Sequence, residues 1–117
     1  MTIEAFWSLS FHSSISGNTN AGFGVVIFES ERIFGGDSSF YYNGNYKLIN
    51  GDIRAAVRVK RYAPGLPSIT GLDDYKLIVE KLGRGDYNGD QFMIEGHVDG
   101  VPSRKVYVGF NRIENLP

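Results

Sequence analysis

The stretch Ile53–Lys60 alternates without a break. Ile53, Ala55, Val57 and Val59 share one parity, and Arg54, Ala56, Arg58 and Lys60 share the other. Successive side chains of an extended chain point to opposite faces, so this is a strand with one apolar face. Asn50-Gly51 stands directly before it, and both residues tolerate the positive φ of a type I′ turn. The repeating unit is therefore a strand, a tight turn and a strand. Ala5–Ser13 shows the same period, with Trp7, Leu9 and Phe11 on one face and Ser8, Ser10 and His12 on the other. Phe92, Ile94 and Val98 alternate with Met93, Glu95 and His97. Asp99-Gly100 then opens a second hairpin toward a last strand carrying Val106, Val108 and Phe110. Phe23–Glu29 and Arg32–Gly36 read as strands joined by Ser30-Glu31, and Phe40–Leu48 as a tyrosine-rich strand.

Seven or eight such strands at regular spacing predict an all-β barrel or sandwich. Sequential hairpins favour a small eight-stranded antiparallel up-and-down barrel of lipocalin-like form, because closure removes exposed edges. A chain of 117 residues fits one such domain. Trp7, Leu9, Phe11, Val57, Val59, Ile94, Val106 and Val108 are its expected interior. At around eight strands that interior either packs solid or holds one small ligand. "SISGNTNAG" (14–22) and "GRGDYNGD" (83–90) read as turns. Ala63–Gly71 cannot be a regular element, since Pro64 and Pro67 lack the amide donor, and its Leu66 and Ile69 need cover. "DDYKLIVEKL" fits a strand through Tyr75, Leu77 and Val79. It also fits a helical stripe through Leu72, Tyr75, Val79 and Leu82.

Two features exceed what a plain barrel requires. Gly35, Gly36 and Gly44 lie among Tyr41, Tyr42 and Tyr46, so sharp bends covered by rings are expected, with a tyrosine-lined cleft as the alternative. Strand Phe23–Glu29 is apolar on both faces, with Val25 and Ile27 opposed to Val26 and Phe28. Phe40 and Tyr42 likewise oppose Tyr41. Burying a Val or Phe side chain is worth roughly 1.5–3 kcal/mol, so the outer set needs cover. Val26, Phe28 and Tyr41 are assigned to that outer face. A second copy of the chain is the first candidate to cover it, and the Ala63–Gly71 loop the second.

Little in the chain points to chemistry. A net charge of −1 gives no electrostatic case for nucleic acid or an anionic membrane. The absence of cysteine excludes disulfides and thiolate zinc sites. "MTIEAFWSLSF" lacks the pattern of a secretory signal, so a cytoplasmic address is expected. Asp86, Asn88 and Asp90 have calcium-loop spacing, but Gln91 and His97 stand where Gly and Glu are needed. His12 and His97 would need distant carboxylates to hold zinc. Ser13 and Ser14 adjoin His12, yet neighbours on a strand diverge. Gly22-Phe23-Gly24 lacks the third glycine of a dinucleotide fingerprint. Arg54, Arg58 and Lys60 form a basic stripe best read as a solvated face. A non-enzymatic protein without metal or cofactor is expected.

The order of several short motifs resembles the GrlR family, negative regulators of a type III secretion activator in attaching-effacing enteric bacteria. The motifs are "FWSLSF", "GFGVVIF", "RIFGGDSSFYYNGNY", "VRVKRY" followed by "PS", "DDYKL" and "IEGHVDGVP". The resemblance spans nearly the whole chain. It implies an eight-stranded barrel with an apolar cavity and a plug-like loop, for which Pro64, Leu66, Pro67 and Ile69 are the candidates. It also implies a homodimer, and it tips "DDYKLIV" toward strand. In the founding member an acidic run before the central strand binds a transcriptional activator. The corresponding turn here makes Asn50, Gly51 and Asp52 the candidate partner site, with Asp52 the matching carboxylate. The expected function is thus sequestration of a protein partner such as a transcriptional activator, without direct contact to DNA. The alternative is a barrel that carries a small apolar ligand or lipid.

Overall fold

The computed structural model describes residues 2–13, 22–65 and 67–117, with the side chains of His12, Ser13 and Gly22 left aside. The 14–22 turn and Leu66 therefore lie outside the described residues, apart from the backbone of Gly22. Eight strands follow in chain order: β1 (Ala5–Ser13), β2 (Gly22–Glu29), β3 (Arg32–Gly36), β4 (Phe40–Ile49), β5 (Asp52–Arg61), β6 (Asp74–Gly85), β7 (Gln91–Val98) and β8 (Val101–Asn115). Each pairs antiparallel with the next, and β8 returns to pair β1, giving a closed up-and-down barrel. Closure leaves no unpaired sheet edge.

The turns follow from their residues. Asn50 and Gly51 have φ of 51° and 83°, the signs a type I′ hairpin requires. Ser30 and Glu31 also have positive φ, 52° and 63°, in the two-residue link between β2 and β3. Asp86-Tyr87-Asn88-Gly89-Asp90 joins β6 to β7, so the strand runs through Gly83–Gly85, further than the sequence turn suggested.

The double reading of "DDYKLIVEKL" resolves as strand. Tyr75, Leu77 and Val79 point inward with period two. The register then shifts between Val79 and Lys81, so the next inward apolar residue is Leu82. One extra residue in a bulge turns a spacing of two into three, which imitates a helical stripe.

The barrel is packed at one end and hollow at the other. At the packed end Trp7 is fully buried. Its ring meets Phe92 edge-on at 4.9 Å between centroids, with Phe28 and Phe110 at 6.4 and 6.5 Å. Phe28 also meets Tyr46 at 5.2 Å. The Arg112 guanidinium lies 4.5 Å from the Trp7 ring centroid, a cation–π arrangement. It donates to the carbonyls of Gly89 (2.9 Å) and Tyr87 (3.1 Å) and to Asn115 Oδ1 (3.0 Å). These bonds tie the 86–90 turn to the end of β8.

Two expectations about facing are corrected here. Val26 and Phe28 are each only 1% exposed and point into the barrel, not outward. Their partners on β1, Trp7 and Ala5, are inward too, and paired residues share a face. The outer face of β2 carries Val25 and Ile27 instead. Trp7 belongs to the packed floor and does not line the hollow.

Candidate ligand cavity

The open half encloses a cavity of about 460 Å³. Volumes of roughly 300–1,000 Å³ suit small-molecule ligands. Leu9, Phe11, Val57, Val59, Ile94, Val106 and Val108 all line it, as do Val26 and Phe28. Inward positions of all eight strands contribute to its walls, so the period-two pattern that builds the sheet also makes the cavity apolar. Tyr41 is half-buried on the outside of the barrel, while Tyr42 sits in the cavity wall and Tyr46 in the aromatic floor. The three tyrosines therefore do not share a cleft.

Residues 62–65 and 67–73 cross the mouth. Pro64, Gly65, Pro67, Ser68 and Ile69 face the cavity, and Ile69 and Thr70 are buried. The prolines prevent regular pairing, and hydrogen bonds hold the crossing in place instead. The amides of Tyr62 and Ala63 both donate to the Ser39 carbonyl, at 2.9 and 3.3 Å. The Tyr62 hydroxyl donates to the Asp37 carbonyl at 2.5 Å. The Ser68 hydroxyl donates to the Leu72 carbonyl at 2.6 Å, and Arg104 Nη1 donates to the Thr70 carbonyl at 3.4 Å. Arg61 donates through Nε to Asp73 (2.9 Å) and through Nη1 to the Ala63 carbonyl (3.1 Å).

Polar side chains interrupt the apolar wall near the mouth at Asp37, Ser38, Ser39, Tyr42, Ser68 and Tyr75, and Asp37 is the charged one. Asp37 Oδ1 accepts from the amides of Ser39 (2.9 Å) and Phe40 (2.8 Å), and its Oδ2 accepts from the Tyr42 hydroxyl at 2.5 Å. Burial, followed by this bond and the neighbouring carboxylate, holds the Tyr42 phenol far above its ordinary range. Tyr75, also in the wall, is pushed up to about 12, chiefly by burial and against a bond to Thr70. Tyr46 is raised by burial as well. Among the described residues lining the cavity, Asp37 is the one with a charged side chain, so no second carboxylate stands by for acid–base work. No cluster of three or more potential metal ligands occurs among the described residues.

These shifts carry a pH dependence. The folded-state values of Tyr42, Tyr46 and Tyr75 lie above the ordinary tyrosine value of about 10. Their contribution to stability is intact below that pH and is withdrawn as the pH rises toward the folded values, because the unfolded chain ionises first. Stability should fall by up to about 1.4 kcal/mol per pH unit for each such tyrosine above about pH 10. Urea unfolding of the wild type and Tyr42→Phe across about pH 8 to 12 checks this, and the variant should show the shallower decline.

Asn50, Gly51 and Asp52 form an exposed hairpin at the packed end, remote from the mouth. There Asp52 Oδ1 accepts from the Leu82 amide at 2.8 Å, which ties β5 to the bulged part of β6. The basic stripe faces outward on β5, with Arg58 paired to Asp74 at 2.9 Å. Sequence reasoning missed Asp37 and Ser39 as cavity groups. Their signal was present in the "GDSS" step, since an Asp before two serines commonly bonds to amides two and three residues on. A scan against protein-family models and a search of curated proteins both find no match to the chain.

Proposed function

We propose that this chain is a non-enzymatic binding barrel that holds a small apolar ligand in its hollow half, behind residues 62–65 and 67–73. The observation that carries this reading is the apolar cavity of about 460 Å³, walled by valines, leucines and rings. Large voids are unusual in packed interiors, where each unfilled volume forfeits dispersion contacts. A ligand would recover them. The test is uptake of the neutral fluorescent probe N-phenylnaphthylamine by the purified chain. Val57→Trp places an indole in the cavity and should weaken uptake by about tenfold, a loss of roughly 1.4 kcal/mol. The same variant should unfold close to the wild-type temperature. If the interior were already filled, overpacking would instead destabilise it by about 1–3 kcal/mol.

A second reading is sequestration of a protein partner by a cytoplasmic homodimer, as the GrlR resemblance implies. It draws support from the outer face of β2 and β3, where Val25 is 45% exposed beside Phe34. Apolar patches on a surface commonly mark interaction sites. Sedimentation velocity distinguishes this reading: Val25→Lys should convert a dimer to a monomer, and a wild type that is monomeric at high concentration would remove its basis.

A further inference from the structure

The cavity reading leaves open what kind of ligand end meets the polar spot at the mouth. Asp37 and Tyr42 answer this, and the inference rests on the cavity being a ligand site. A carboxylate offers about four acceptor positions, and the Ser39 amide, the Phe40 amide and the Tyr42 hydroxyl occupy three of Asp37's. One position on Oδ2 remains. The Tyr42 hydroxyl spends its proton on Asp37, which leaves its oxygen free to accept. Raised well above its ordinary range, this phenol keeps that proton at neutral pH. The pair thus presents acceptors and negative charge, and it offers no donor.

The surroundings do not offset that charge within the cavity. No lysine, arginine or histidine lines the wall among the described residues. The two guanidinium groups at the mouth are engaged elsewhere: Arg61 with Asp73, the Ala63 carbonyl and the face of Phe40, and Arg104 with the Thr70 carbonyl. The position of the phenol is also prepared. A Cβ on Gly24 would lie 2.9 Å from the Tyr42 hydroxyl, so the bare glycine backbone makes the room in which that oxygen sits.

We propose that the ligand is an amphiphile whose apolar body fills the cavity and whose head donates a hydrogen bond, a hydroxyl or an amine, to Asp37 Oδ2 and Tyr42 Oη, and that anionic heads are rejected. A carboxylate head has no proton to donate at neutral pH and would sit beside another carboxylate in a weakly polar cavity, where like charges repel strongly.

The test uses three compounds of equal chain length, dodecanol, dodecylamine and laurate, as competitors for N-phenylnaphthylamine on the full chain. Dodecanol and dodecylamine should displace the probe at concentrations about tenfold or more below that of laurate. Asp37→Asn removes the charge and should shrink that preference to about threefold or less. Tyr42→Phe, which keeps the Asp37 loop bonds, should weaken dodecanol more than laurate. Equal displacement by all three in the wild type, or an unchanged preference in Asp37→Asn, would overturn the head-group assignment and leave the cavity reading standing. If the probe itself is not taken up, both fall.

Discussion

Trp7→Ala should lower the unfolding midpoint by about 15 °C, the equivalent of roughly 4 kcal/mol for a chain of this size. The expectation follows from what the indole touches. Trp7 is fully buried at the packed end, edge-on to Phe92, and its Nε1 donates to the Ile3 carbonyl at 2.9 Å. Truncation removes the ring from four aromatic or cationic neighbours and leaves the Ile3 carbonyl without that donor. It also strips the aromatic face from under Arg112, whose three hydrogen bonds hold the 86–90 turn and the end of β8. Arg112→Met keeps the apolar length and should cost less, about 2 kcal/mol. Thermal and urea unfolding of both variants checks the order. A Trp7→Ala loss below about 1 kcal/mol would mean that the floor is not where the barrel is anchored. Probe uptake by folded Trp7→Ala should persist, because the cavity walls lie on the other side of this floor.

Gly44→Ala should destabilise the barrel by about 3 kcal/mol although it adds a single methyl group. Gly44 faces inward on β4, opposite Ile33 and Val57. A Cβ there would run into the carbonyl oxygen of Ala56 and lie 2.7 Å from the Val57 Cα. Both are backbone atoms of the paired strand, so no side chain can swing away. Gly35 stands in the same relation to the Val25 carbonyl on β2. The two glycines mark places where tight coiling brings neighbouring backbones together, a device that closes short sheets. Gly109→Ala is the control. Its Cβ would come no nearer than 3.4 Å, to the Ser10 hydroxyl, and the substitution should be close to neutral. If Gly44→Ala and Gly109→Ala unfold at the same denaturant concentration, the close approach at β4–β5 is not a constraint on the fold.

The glycine-and-tyrosine segment shows how far local reading reaches. That Gly35 and Gly44 serve bends was legible, because rings beside glycines on strands have few other uses. Which tyrosine goes where was not. Tyr42 and Tyr46 share a parity on β4, yet one lies at the mouth and the other in the floor, and only the barrel's length separates them. The facing of β2 was likewise undecidable locally. Val25 and Ile27 are as apolar as Val26 and Phe28, so alternation predicts two faces and cannot rank them. The pairing of Val26 with Trp7 makes the choice, since β1 has only one apolar face. On β6 the bulge after Val79 hid the strand period behind a spacing that a helix would share.

The residues alone determined the strands, most of their turns and the antiparallel order, because period-two alternation and positive-φ turn residues act over a few neighbours. They also determined that the inward faces of β1, β5, β7 and β8 are apolar. Tertiary structure decided that the barrel is solid at one end and hollow at the other, and that Asp37 and Tyr42 meet at the hollow end. Those outcomes depend on how far side chains reach across the interior, and that distance exists only once β8 has closed onto β1.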